Sequence, residues 1–527
     1  MKKLSILIIA LFFLGCSSKI SHHFEHNKYI KNFNVHILND SLQLYFKTPA
    51  DIRYVTHKKE LNKIIRQEKF KIQDSVLVYG KTDDPPYEYF VTLSKTNLHE
   101  YPKELVVFDT LIHKHTIRFI GNALIPSAKK TLERDLEDIF KSLQLGPNYR
   151  KQISTVFDIV EKYQPSNKFY AALNEIKEFP TYDKQEEWTK RQMELTFSSF
   201  LGKNEFYTTY LDQLEARFKA NDTIAKIIKE NAIGTTKVFD TLISQAKKHK
   251  IVMINENHFY PNHRLFVSDL LEGLKEIGYT YLALEALDSS QDSLLNKVDA
   301  YPTLATGFYT SEQNYAHLIR KAKELGYRFI AYENTNPDKN RELGQAENLY
   351  DQTFKINPNA KVLVFAGIDH ILEKPTSSGK EWMATLFKTK YNIDPLTLSQ
   401  THLNGYRKQI ESTYGMISST YFDKWTLTSV DYLILNNNQT LIAENQPTFT
   451  YKNRAKEEVQ LCLFYEREII NKYDYSKKIP YFTTLLRAGE KCQLPLDEDR
   501  IIYLYTLDKE GRQVEEQIIN PTISNYK

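Results

Sequence analysis

The chain has 527 residues, too many for one hydrophobic core, and this length predicts about three or four domains. Lys and Arg number 70 against 66 Asp and Glu, a net charge of +4, with no long basic run and no alternation of arginine with aromatic residues, which argues against nucleic acid as a partner. With 35 Tyr and 29 Phe but only 17 Gly, the composition is that of a folded protein rather than a disordered one.

Residues 1–15 read as a targeting segment. Lys2 and Lys3 precede an apolar stretch over 4–14, too short to span a bilayer, and Gly15-Cys16-Ser17-Ser18 follows. Gly before Cys at the end of such a stretch resembles the lipobox of bacterial lipoproteins. That resemblance implies cleavage before Cys16, lipidation of that cysteine, and a body held outside the cytoplasm at the cell or outer membrane. Residues 16–30 carry Ser17, Ser18, Ser21, His22, His23 and His26 and suit a polar tether, with a metal-binding His tract as the alternative.

From 31 to 146, strand-like runs at 35–38, 42–46 and 117–120 alternate with turn signals such as Asp83-Asp84-Pro85-Pro86. Ser127 offers an N-cap to a helix with Leu132, Leu136, Ile139 and Leu143 on one face, closed by Gly146-Pro147. A β-rich α+β domain is predicted. Between 147 and 235 helical period dominates, through Val156 and Val160, Phe169, Leu173 and Ile176, and Leu211 and Leu214. Trp188, Phe197 and Phe200 are expected between those helices rather than on a ligand.

The rhythm changes over 236–445. Four short apolar runs, 251–254, 281–284, 329–332 and 362–365, are separated by segments of helical period, and Gly278 and Gly326 stand where helix C-caps belong. This predicts a three-layer α/β/α domain with a mainly parallel sheet. Residues 446–527 return to strands, at 459–465 and 501–507, with Asp508-Lys509-Glu510-Gly511 as a hairpin turn, and predict a small β-sandwich. Cys462 and Cys492 are a candidate disulfide in an oxidising compartment, or two buried free thiols.

Each of the four runs ends on acid or imidazole. The first leads to Glu256 and His258, the second to Glu285, the third to Glu333, and the fourth to Asp369 and His370. Parallel sheets bind ligands beyond the carboxyl ends of their strands, so these residues are expected to share one site. A carboxylate beside imidazoles can hold a divalent metal or orient and deprotonate a water. Three carboxylates at one sheet edge require an offsetting charge, for which Arg264 and Arg341 are candidates unless they are merely solvated helix charges. No Gly-x-Ser-x-Gly elbow, phosphate loop or Cys pair at metal-ligand spacing occurs, which disfavours serine hydrolases and nucleotide enzymes.

Ile254-Asn255-Glu256-Asn257-His258 with His263, then Leu282-Ala283-Leu284-Glu285, Arg341 before Gln345-Ala346-Glu347, and Val364-Phe365-Ala366-Gly367-Ile368-Asp369-His370 resemble the superfamily of erythromycin esterases and ChaN-type haem-binding lipoproteins, to which Tiki-like metalloproteases are related. The similarity covers about 200 of the 527 residues. It implies a site built from Glu256, His258, Glu285 and His370, with His263 and Arg341 as further members. Asn255 stands where that superfamily usually has Gly. The esterase branch implies water attack on an ester, with His or Glu as base. The ChaN branch implies haem in a shallow groove with a tyrosine on iron, for which Tyr260 and Tyr309 are eligible. The expected protein is therefore a lipid-anchored hydrolase acting on a small-molecule or peptide substrate. The alternatives are a haem or metal carrier, and a scaffold with a degenerate site whose protein partner is unknown.

Overall fold

The computed structural model describes residues 34–39, 42, 44–49, 53–55, 58–66, 72, 74–83, 85–94, 101–112, 115–145, 155–179, 181, 184–202, 204–438, 447–469, 475–496 and 501–520. Cys16, the tether and Gly146-Pro147 lie outside the described residues. The chain divides into two compact units, one of residues up to 158 with 178–190, the other of 159–177 with 191–527. Segments of the helical region thus belong to both, and the C-terminal strands belong to the second. Among the described residues no helix is long and apolar enough to cross a membrane.

The first unit holds a five-stranded antiparallel sheet in the order Arg53–Val55, Ser75–Asp83, Pro86–Ser94, His115–Ala123, Val106–Ile112. The helix Lys129–Lys141 lays Leu132, Leu136 and Ile139 on Phe119, Val91 and Leu44. Ser127 does not cap this helix as expected. Pro126 starts a 3-10 turn, Pro126–Ala128, which takes up Ser127 and leaves Ala128 at the cap with no side-chain hydrogen bond. Trp188 also departs from expectation, being 39% exposed.

The second unit is organised by an eight-stranded sheet. In chain order its strands are β1 (Ile233–Gly234), β2 (Ile251–Glu256), β3 (Tyr281–Leu284), β4 (Arg328–Ala331), β5 (Val362–Gly367), β6 (Leu396–Ser399), β7 (Tyr414–Ser418) and β8 (Tyr432–Asn436). Their order across the sheet is β4-β3-β5-β2-β6-β8-β7-β1. All pairings from β4 to β8 are parallel, and β7 runs antiparallel to both neighbours. The sheet is therefore mixed, with a parallel centre.

Both faces of that centre are covered, which is why its strands are apolar without alternation. Val252, Ile254, Leu282, Leu284 and Phe365 join one apolar cluster with the helices α1 (Thr235–Ala246), α2 (Asn262–Glu276) and α3 (Gln313–Glu324). Met253, Ala283, Val364 and Ala366 point the other way, to α4 (Arg341–Gln352) and α5 (Met383–Tyr391).

The C-terminal strands make two antiparallel sheets, Thr448–Lys452 with Lys491–Pro495, and Phe482–Leu486, Val459–Tyr465, Ile502–Leu507 and Gln513–Ile519 in that order. Tyr451 and Leu494 of the smaller sheet share an apolar core with Leu461 and Leu504 of the larger. Cys462 and Cys492 lie on strands of different sheets, and both are free thiols, the second of the two readings offered by the sequence. Cys462 is buried beside the Gln460 amide at 3.1 Å, and burial pushes its thiol up to about 12.

Candidate active site

Register brings the strand-end residues together. Glu256 is level with Gly367 on the adjacent β5, and β3, ending one residue before Glu285, pairs with the other side of β5. Gly367 lies between the two carboxylates. A methyl group placed on it would sit 3.2 Å from Glu285 Oε2 and 3.5 Å from His258 Nε2, so the glycine keeps open the space on which these groups converge.

On one side of that space Glu256, only 2% exposed, accepts from His258 Nδ1 at 2.8 Å and from Arg264 Nε and Nη2 at 2.7 and 3.2 Å. Arg264 is fully buried in α2 and donates onward to Glu312 at 2.9 Å and to the His258 carbonyl at 2.7 Å. Burial raises the Glu256 pKa, but Arg264 and His258 outweigh it and hold the carboxyl at about 2. It stays ionised. His258 lies flat on Tyr309, with ring centroids 4.0 Å apart. Its Nε2 has no hydrogen-bond partner among the described residues, and its side chain is 26% exposed.

On the other side Glu285 accepts from Arg341 Nη2 at 2.6 Å and from the Gly367 backbone N–H. Arg341 opens α4, binds both oxygens of Glu333, and brings Nη1 to 2.9 Å from His370 Nε2. His370 Nδ1 faces Glu342 at 2.8 Å, and Nε2 is also 3.4 Å from Glu285. Burial lowers the His370 pKa, yet the two carboxylates outweigh it and push the value up to about 10. The contact to Arg341 is a hydrogen bond only when Nε2 is unprotonated, because a guanidinium only donates. A charged ring directs that proton to Glu285 instead, and we place His370 on the raised side because two carboxylates face one guanidinium. Burial raises Glu285, but His370 and Arg341 hold it well below the usual carboxylate range.

Glu256, His258, Glu285, His370, Glu333, Arg264 and Arg341 thus belong to one constellation. His263 and Asp369 do not join it. His263 is fully buried, accepts the Asn257 N–H on Nδ1 at 3.1 Å and stacks on Tyr260, and burial lowers its pKa to about 3. It shapes the loop as a neutral ring. Asp369 turns to His402 Nε2 at 3.4 Å, and His402 Nδ1 faces Ser399 Oγ at 2.8 Å. This Asp-His-Ser chain offers no nucleophile, since Ser399 is fully buried.

Three residues escaped sequence reasoning. Glu312 caps α3 through the N–H groups of Asn314 and Tyr315 while holding Arg264; a Glu before a helical run was the available signal. Glu342 orients His370 and accepts the Met383 N–H at 3.0 Å, and it carried no signal. Asn255, read as a replaced glycine, is a clamp: its amide donates to the Ile368 carbonyl at 2.6 Å and Thr401 at 2.8 Å and accepts the Gln400 N–H at 2.7 Å.

As arranged, the donor set does not fit a divalent metal. Arg264 and Arg341 occupy the carboxylate oxygens that would ligate it, and no group of three or more His, Cys, Asp or Glu among the described residues is arranged to hold one. Haem ligation fits no better. Tyr260 donates its hydroxyl to Glu215 at 3.2 Å, and Tyr309 is packed on His258.

No family model matches the chain, and no curated protein matches it in sequence. Among solved structures it is similar to the type III effector HopBA1, at 13% identity and a TM-score of 0.26, over 37% of this chain and 91% of that one. It is also similar to RRSP, a MARTX toxin effector domain from Vibrio vulnificus CMCP6, at 18% identity and a TM-score of 0.20, over 36% of this chain and 41% of that one. A third is the C-terminal region of Pasteurella multocida toxin, described with a thiol-protease-like catalytic triad, at 13% identity and a TM-score of 0.26, over 56% of this chain and 39% of that one. At these scores no residue role carries over, and the site's chemistry rests on its own geometry.

Proposed function

We propose that the chain is a hydrolase of ester, amide or peptide bonds in which His258 is the general base. The carrying observation is that His258 Nε2 and Glu285 converge on the gap that a side chain on Gly367 would fill, while Nδ1 is held by an ionised, buried Glu256. A water in that space gives its proton to Nε2 as its oxygen attacks the carbonyl carbon. Glu256 stabilises the imidazolium, and the same proton then passes to the departing alcohol or amine. Arg341 and Glu285 form the opposite wall, with Arg341 supplying positive charge where negative charge develops on the substrate oxygen.

The resemblance to erythromycin esterases supports this reading, and we propose membership of that superfamily for residues 236–445, with a three-layer arrangement supported by the two apolar clusters on opposite sheet faces. Attachment through a lipidated Cys16, outside the cytoplasm, rests on residues 2–16 alone. The test is a screen of esters, amides and peptides, followed by variants on the best substrate. His258→Ala and Glu256→Gln should each lose turnover by about 100-fold or more. Gly367→Ala should lose about tenfold or more with the fold intact, because its methyl displaces the attacking water. A screen with no turnover dependent on Glu256 leaves the degenerate scaffold as the reading.

A further inference from the structure

Beyond the ends of β3 and β4 lies a cleft of ≈ 300 Å³ lined by Ser289, Ser290, Asp292, Glu333, Thr335, Asn348, Gln352 and Ala331. Seven of these eight residues are polar, and none is Lys or Arg. Glu333 joins the cleft to the reaction centre, because Arg341 bridges Glu333 and Glu285.

The amide nitrogens of the cleft are committed. Asn348 Nδ2 donates to the Tyr332 and Glu333 carbonyls at 3.3 and 3.1 Å, and Gln352 Nε2 donates to the Ala331 carbonyl at 2.8 Å. These bonds leave the Asn348 and Gln352 side-chain oxygens as acceptors without a partner among the described residues. Behind Glu333, the fully buried Gln345 donates its nitrogen to Glu333 Oε2 at 2.9 Å, and its amide oxygen likewise has no partner. Asp292, whose oxygens accept the Ser293 and Ala331 N–H groups at 2.7 and 3.4 Å, therefore lines the cavity with two amide side chains that keep an acceptor oxygen and with three hydroxyls, while the second carboxylate, Glu333, is already paired with Arg341. Such a lining complements a ligand rich in donors and carrying positive charge. Ala331 is the lone apolar wall, which suits a compact polar cation better than one on a long alkyl stem.

We infer that this cleft is a substrate subsite for a compact ammonium or guanidinium group, so that the bond cleaved above Gly367 belongs to a cationic substrate. Its role as a substrate subsite rests on the hydrolase reading, whereas cation binding does not.

The test separates the two by measuring binding without turnover. Methylguanidinium and glucosamine are titrated into the full chain by NMR, with urea and glucose as neutral counterparts of the two sources and acetate as the anion. Both cations, or one of them, should bind at least about tenfold more tightly than the neutral counterpart. Asp292→Asn should weaken that binding about tenfold. Ser290→Asp should tighten it, since Ser290 has φ 71°, a backbone conformation that Asp tolerates, while Ser290→Asn should not. Equal binding of cations and neutral counterparts, or binding indifferent to Asp292→Asn and Ser290→Asp, overturns the assignment. Cation binding in a protein that hydrolyses nothing retains the cleft and removes the hydrolase.

Discussion

Glu256, His258, Arg264 and Glu312 form one half of the site, and Glu285, His370, Arg341 and Glu342 form the other, from the same residue types. In both, an arginine binds the strand-end glutamate, and each histidine has Nδ1 on a carboxylate. They differ at the remaining ring nitrogen. His258 Nε2 faces the gap at Gly367, while His370 Nε2 is enclosed by Arg341 and Glu285. They differ also in where the arginine sits, since Arg264 is 0% exposed and Arg341 26%. In the mechanism we propose, this difference separates a base held ready for a substrate from a charged wall that positions one. Identical residue types take different roles because of which atom is already engaged.

The largest effect expected from breaking this comparison is on folding. Arg264→Met strands Glu256 and Glu312 in the interior and should cost about 3–5 kcal/mol. Arg341→Met also removes a partner of buried Glu285, but its guanidinium is partly exposed, so it should cost less, about 1–3 kcal/mol. Urea unfolding followed by near-ultraviolet circular dichroism gives both values, and equal losses would remove the distinction between buried support and rim.

A smaller effect is the shape of stability against pH. Glu256 is held at about 2 against an ordinary 4.5, so its contribution is full above 4.5 and is lost as pH falls towards 2. His370 is raised to about 10 from an ordinary 6.5, so its contribution is full below 6.5 and is lost as pH rises towards 10. Melting temperatures should therefore show Glu256→Gln flattening the acid limb, and His370→Asn flattening the alkaline limb while also weakening the acid limb through Glu285, whose carboxyl His370 helps to hold down. An alkaline limb unchanged by His370→Asn would mean that the ring is neutral in the folded protein.

The strand-end residues were legible in the sequence because short apolar runs read as buried parallel strands, and such strands deliver their last residues to one edge. Arg264 and Arg341 were legible only as a need for positive charge; nothing local to Arg264 distinguishes a buried guanidinium from a solvated one. Glu342 was not legible, and Glu312 only as a carboxylate before a helical run, since their partners His370 and Arg264 lie 28 and 48 positions away. The clamp made by Asn255 was not legible for a related reason: its partners lie on the loops after β5 and β6, which register brings beside it. Asp369 was placed in the site by its nearness to His370, but the turn after β5 sends it to His402.

In the proposed mechanism His258 alone, of the two paired histidines, moves the proton. Chemical rescue tests it most directly, with free imidazole added to His258→Gly and His370→Gly on the best substrate from the screen. The account predicts that imidazole restores turnover of His258→Gly by about tenfold or more and leaves His370→Gly unchanged. Rescue of His370→Gly alone, or undiminished turnover in His258→Gly without imidazole, would contradict it.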